Sequence, residues 1–109
     1  MKSEIKFAEE KVKESFEKLK DSKTEDKKLF DWINRALDDL QENAFCGIQI
    51  PKRLIPKIYI EKYGIDNLWK YDLPRGWGLI YSVANNYVCV LSLILEWMDH
   101  KNYERRFNY

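Results

Sequence analysis

Asn67-Leu68-Trp69-Lys70-Tyr71-Asp72-Leu73-Pro74-Arg75-Gly76-Trp77-Gly78-Leu79-Ile80-Tyr81-Ser82-Val83-Ala84-Asn85-Asn86-Tyr87-Val88-Cys89-Val90 is the stretch that decides the fold. Its apolar residues alternate with a period of two, the period of a strand with one buried face. Residues 67–73, 77–84 and 87–97 read as three strands. Leu73-Pro74-Arg75-Gly76 supplies the turn between the first two, with Pro and Gly where a turn wants them. Ala84-Asn85-Asn86 supplies a tight hairpin between the second and third, because Asn tolerates positive φ. Trp77, Leu79, Tyr81 and Val83 fall on one face of the middle strand; Gly78, Ile80, Ser82 and Ala84 fall on the other. The third strand is apolar on both faces and should be the best buried. Connections this short imply an antiparallel meander.

Upstream, Cys46-Gly47-Ile48-Gln49-Ile50-Pro51 reads as a loop or a short extended piece. Pro51 and Pro56 exclude a central strand there, since Pro cannot donate to a ladder. Residues 55–63 suit a short helix that stops at Gly64, a good residue just past a helix C-terminus. Further back the period becomes helical. Leu29, Ile33, Ala36, Leu37 and Leu40 form one stripe of a helix ending near Asn43, with Thr24 or Ser22 available to cap its start. Phe30 and Trp32 lie off that stripe and are candidates for partner contact or self-association. Residues 8–19 suit another helix, with Glu14 and Lys18 one turn apart. Ile5 and Phe7 fit either that helix or a short edge strand. A helical hairpin with an apolar stripe on each arm needs another layer to cover it. The expected fold is therefore α+β: a single domain over residues 1–109, with two N-terminal helices packed on a small antiparallel sheet. After the strands, Asp99 can cap a short C-terminal helix on which His100 and Tyr103 share a side.

The 109 residues are 45% hydrophobic and 34% charged, which suits a globular domain and excludes a disordered tail or a collagen. No apolar run reaches the ~18 residues of a membrane span, and the N-terminus lacks the apolar core of a secretory signal. Two cysteines, Cys46 and Cys89, are too few for a disulfide framework, so a reducing cytoplasm is the expected setting. Residues 1–44 hold 10 Lys and Arg against 12 Asp and Glu, leaving −2; residues 45–109 hold 9 against 6, leaving +3. That asymmetry is small for a protein that coats long nucleic acid.

No Gly-rich phosphate loop, nucleophile elbow or metal-ligand spacing occurs, and one His with two distant Cys makes a poor zinc site. What remains is a set of Lys, Arg, Tyr and one His around the rim of the expected sheet: Lys52, Arg53, Lys57, Lys70, Arg75, Tyr81, His100, Tyr103, Arg105 and Arg106. This set suits metal-free RNA cleavage, with no cofactor. The 2′-hydroxyl attacks the adjacent phosphorus, a base takes its proton, an acid protonates the departing 5′-oxygen, and cations stabilise the added negative charge. An imidazole with an unperturbed pKa of ~6.5 serves either proton transfer. Arg forks onto phosphate with two hydrogen bonds, and Tyr can stack a base. The plainer alternatives are an exposed or capping His, solvated loop cations beside the prolines, and aromatics (Trp69, Tyr71, Trp77, Tyr81) that pack in or beside the core. The thiols should be inert, with Cys89 in the most apolar strand.

The order helix, helix, basic loop, then Asn67 to Val83, an apolar strand and the closing His100-Lys101-Asn102-Tyr103 resembles the RelE/ParE toxin superfamily, in particular its archaeal RelE-like branch. The likeness covers most of the chain, most specifically residues 67–109. It implies a small antiparallel sheet with two N-terminal helices, a metal-independent endoribonuclease that cuts mRNA, often on the ribosome, and a cognate antitoxin protein that masks it. It also implies a cytoplasmic protein with no membrane partner, monomeric or weakly dimeric when free. The resemblance sets Tyr81, His100 and Tyr103 at cleavage positions, with Arg75 as a cation for the phosphate. Lys52, Arg53 and Lys57 match RNA-holding positions, and Lys70, Arg105 and Arg106 join them as RNA-binding candidates. The departure is Gly78, where members usually carry Arg. A phosphate-contacting Arg is worth ~1.5–3 kcal/mol or more in a desolvated site. Arg75 or a loop Lys replaces it, or the toxin is naturally weak or inactive, or the chain is a detoxified variant. The alternatives in function are a catalytically inactive module that binds protein or RNA, and a ParE-like gyrase inhibitor.

Overall fold

The first four residues of regular structure form a strand and not a helix. β1 spans Glu4–Phe7, and the chain then folds as α1 (Glu10–Lys20), α2 (Thr24–Glu42), β2 (Ile48–Gln49), a 3-10 turn (Lys52–Leu54), α3 (Lys57–Tyr63), β3 (Trp69–Asp72), a second 3-10 turn (Pro74–Gly76), β4 (Gly78–Ala84) and β5 (Tyr87–Ser92). The structure, a computed structural model, describes residues 2–22, 24–85 and 87–92. The far end of the third expected strand, the C-terminal helix and its cap Asp99 lie outside the described residues.

The α+β class agrees with the expectation; the sheet is larger and not wholly antiparallel. It has five strands in the order β1-β5-β4-β3-β2. β2, β3, β4 and β5 pair antiparallel, whereas β1 lies parallel to β5, with Glu4 opposite Tyr87 and Phe7 opposite Val90. Parallel neighbours need a long crossover, and the chain from α1 through β4 supplies one. The pairing explains why residues 87–92 are apolar on both faces: β5 is flanked by β1 and β4. Val88 and Val90 pack under the helical hairpin, and Leu91 packs on the other face. Ile5 and Phe7 of β1 pack against the hairpin core, and Lys6 lays its ammonium 4.0 Å from the Tyr87 ring centroid.

Two cores sandwich the sheet. On one face the stripe Leu29, Ile33, Ala36, Leu37 and Leu40 meets Leu19, Leu79, Tyr81, Val88 and Val90. On the other, α3 and the segment before it set Ile50, Ile55 and Tyr59 on Leu68, Ile80 and Leu91. Gly64 closes α3 at φ 63°, its N–H donating to the Ile60 carbonyl at 2.9 Å, and Lys62 pairs with Glu9 at 2.8 Å. Phe30 and Trp32 pack against the hairpin core and are half-buried; Phe30 stacks on Phe16 with centroids 4.7 Å apart. Ser22 lies just past α1 and is turned back onto it, its hydroxyl donating to the Lys18 carbonyl at 2.9 Å. Asn67 substitutes for a strand rung: its amide donates to the Val83 carbonyl at 2.8 Å and its oxygen accepts the Val83 N–H at 2.9 Å.

Candidate functional site

The register of β3 on β4 divides the candidate residues between the two faces of the sheet. Trp69 stands opposite Tyr81 and Tyr71 opposite Leu79, all on the hairpin face. Lys70 stands opposite Ile80 and Asp72 opposite Gly78, on the α3 face, because directly paired residues point the same way.

Several candidate cations lie on the elements of the α3 face and at the adjoining β3–β4 turn. Lys52 and Arg53 occupy the 3-10 turn after Pro51, and Lys57 opens α3 after Pro56; all three are exposed. Pro51 and Pro56 fix φ within this segment, so its cations project from a stiff support. Lys70 is half-buried and pairs with Asp72 at 3.2 Å. Arg75 is exposed at the β3–β4 turn, held at φ 60°, a left-handed conformation that non-glycine residues rarely adopt. Leu73 and Trp77 close that turn, the Leu73 N–H donating to the Trp77 carbonyl at 2.8 Å. The described part of β5 ends at Ser92, opposite Ile80, and so at the Arg75 end of the sheet. His100, Tyr103, Arg105 and Arg106 lie outside the described residues.

Tyr81 has a different place from the one a role at RNA requires. It is 0% exposed and faces the hairpin. Its hydroxyl donates to the Ala44 carbonyl at 3.1 Å and accepts the Gly47 N–H at 3.1 Å. Burial pushes its pKa well above the usual tyrosine value, further than the Gly47 hydrogen bond lowers it. The phenol thus ties the loop after α2 to the central strand; it neither reaches a substrate nor gives up its proton near neutral pH. The packing alternative for this aromatic is the one the structure supports.

That lock depends on Gly47, to which no motif in the sequence points. A Cβ there would overlap the Tyr81 hydroxyl and lie 2.5 Å from the Lys70 carbonyl oxygen. Nearby, Tyr71 donates its hydroxyl to the Asp39 carboxylate. That bond, with burial, pushes the Tyr71 pKa up to about 12. Cys46 is exposed and Cys89 half-buried, and both thiols have raised pKa values, chiefly through burial.

No described helix is long and apolar enough to cross a membrane. Comparison of the chain with protein-family models, with curated proteins and with solved structures returns no match.

Proposed function

We propose that the protein is a RelE-like toxin that cleaves mRNA without a metal and is held silent by an antitoxin protein. The observation that carries this reading is that Lys52, Arg53 and Lys57 stand exposed on the segment covering the sheet face opposite the helical hairpin, with Lys70 in β3 on that face. The Arg75 turn stands at the end of the sheet where the described part of β5 stops, ahead of His100 in the chain. The cations hold successive phosphates of a single strand. The 2′-oxygen attacks phosphorus and the 5′-oxygen leaves, which yields a 2′,3′-cyclic phosphate and a 5′-hydroxyl end. His100 either takes the 2′-hydroxyl proton or protonates the departing 5′-oxygen, with water carrying the other proton; Tyr103 orients the reacting phosphate, and Arg75 stabilises its developing charge. Tyr81 has no part in the step.

A second reading, a non-catalytic module that binds RNA or protein, is favoured by Gly78, which offers no side chain where the resemblance implies an Arg. One experiment separates the two. The protein is incubated with mRNA in EDTA, with and without ribosomes, and the new ends are mapped. The toxin reading expects cyclic-phosphate ends that disappear in His100→Ala, and growth arrest on expression. Absence of cleavage in every condition, with Gly78→Arg equally silent, leaves the module.

A further inference from the structure

β1 is an outermost strand of the sheet: β5 pairs with one of its edges, and among the described residues no strand lies along the other. The Ala8 N–H donates to the Val90 carbonyl at 2.9 Å. Backbone groups alternate from one side of a strand to the other, so Glu4 and Lys6 also turn theirs to β5, whereas Ile5 and Phe7 turn theirs outward. At Ser3 the outward N–H is taken up by α2, since it donates to the Gln41 carbonyl at 2.9 Å. Among the described residues no such bond joins Ile5 or Phe7 to an element beyond the edge. An outward row of this kind is a template for another strand.

The side chains narrow which strand that is. Glu4 and Lys6 are exposed, while Ile5 and Phe7 alternate with them and pack against the hairpin core. Charges on an open edge usually guard it by repelling a copy of it. These two do the reverse. When two β1 strands run antiparallel about Ile5, the two Ile5 residues stand opposite one another and exchange both backbone bonds. Glu4 of each copy then faces Lys6 of the other, and the charges alternate in sign around the twofold axis. Moving the axis by one residue, to Glu4 or to Lys6, sets like charges opposite, which is unfavourable. Lys6, whose ammonium lies 4.0 Å from the Tyr87 ring centroid, is held between that ring and the facing carboxylate. We propose that the chain forms a twofold dimer through β1, in which the two sheets join edge to edge with Glu4 and Lys6 of one copy on Lys6 and Glu4 of the other. The contact is isologous, so every pair in it occurs twice. No residue assigned above to RNA takes part.

Sedimentation equilibrium of the full chain over a concentration series tests the dimer, with circular dichroism to confirm that each variant is folded. The natural chain should sediment as a mixture of monomer and dimer whose association weakens as salt rises. Glu4→Lys and Lys6→Glu each make every charge at the junction alike, and each should weaken the dimer about tenfold or more. Glu4→Lys/Lys6→Glu reverses both signs and keeps every pair opposite, so it should return association to within about threefold of the natural chain. Ile48→Lys, an exposed position on the opposite edge of the sheet, should leave association unchanged. A natural chain that stays monomeric at about 1 mM, the weak end of specific affinity, overturns the dimer. A double reversal that associates no better than the single ones overturns the pairing of Glu4 with Lys6. Loss of association in Ile48→Lys, with the β1 variants at the natural level, puts the contact at β2 and overturns the assignment to β1.

Discussion

Tyr81 and Gly78 stand three residues apart on one strand and serve opposite faces of the sheet. Tyr81 points under the helical hairpin, where its ring packs and its hydroxyl joins two backbone groups of the loop after α2. Gly78 lies on the α3 face, and beyond its chain neighbours no described atom comes within 4 Å of the place a Cβ would take. A tyrosine reads by its chemistry as a functional group and a glycine as filler. Here the fold takes up the tyrosine and leaves the glycine unexplained. Residue type suggests what a side chain could do; the face it occupies decides whether it is free to do it.

The sharpest way to break this contrast is at Gly47. Gly47→Ala pushes a methyl group into the Tyr81 hydroxyl and the Lys70 carbonyl oxygen; the carbonyl is β3 backbone, and the hydroxyl cannot retreat without giving up its hydrogen bonds to Ala44 and Gly47. The expected loss is about 3 kcal/mol of stability by chemical denaturation. A neutral result would mean that the loop is not clamped. Tyr81→Phe comes next. It leaves the Ala44 carbonyl and the Gly47 N–H without their partner in a buried setting, an expected loss of about 2 kcal/mol. RNA cleavage per folded molecule should stay at the natural level, and a fall in that specific rate would return Tyr81 to the reaction.

Tyr71→Phe is the mildest of the three, with an expected loss of about 1 kcal/mol, because the Asp39 bond is partly open to solvent. Its signature is in pH. The folded chain keeps the Tyr71 proton up to about 12, whereas an unfolded tyrosine gives it up near ~10. The stabilisation is therefore whole below the lower value and is lost as pH rises through the interval. Tyr81 shifts in the same direction, so Tyr71→Phe should flatten the alkaline decline without abolishing it. An unchanged slope would contradict the Asp39 pairing.

The parts of the fold legible in the sequence are those governed by neighbours along the chain. The alternation of Leu79, Tyr81 and Val83, the stripe from Leu29 to Leu40, the stop at Gly64 and the turn at Asn85 all occur where local pattern places them. β1 is ambiguous in the sequence because its four residues satisfy both periods; the choice is made by β5, far along the chain, which needs a second partner. The Asn67 rung and the Gly47 approach are illegible for a related reason. Each is defined by a contact with a distant strand, and neither residue type announces it. In the candidate site, the cations of the α3 segment are readable from their position beside prolines. The burial of Tyr81 is readable only as one of two alternatives, since the alternation assigns it a face without saying which face is covered by helices.

RNA cleavage by this chain requires the α3 face to be the surface that meets RNA. Affinity for a short single-stranded 2′-O-methyl RNA oligonucleotide, which lacks the attacking hydroxyl, should be measured across a salt series for Lys52→Ala/Arg53→Ala/Lys57→Ala and for Lys11→Ala/Lys13→Ala/Lys18→Ala, three exposed cations of α1. Loss of phosphate contacts should cost the α3-face variant about a hundredfold in affinity and flatten its salt dependence, with the α1 variant close to the natural chain. Equal losses in both variants, or a loss confined to α1, would contradict the assignment.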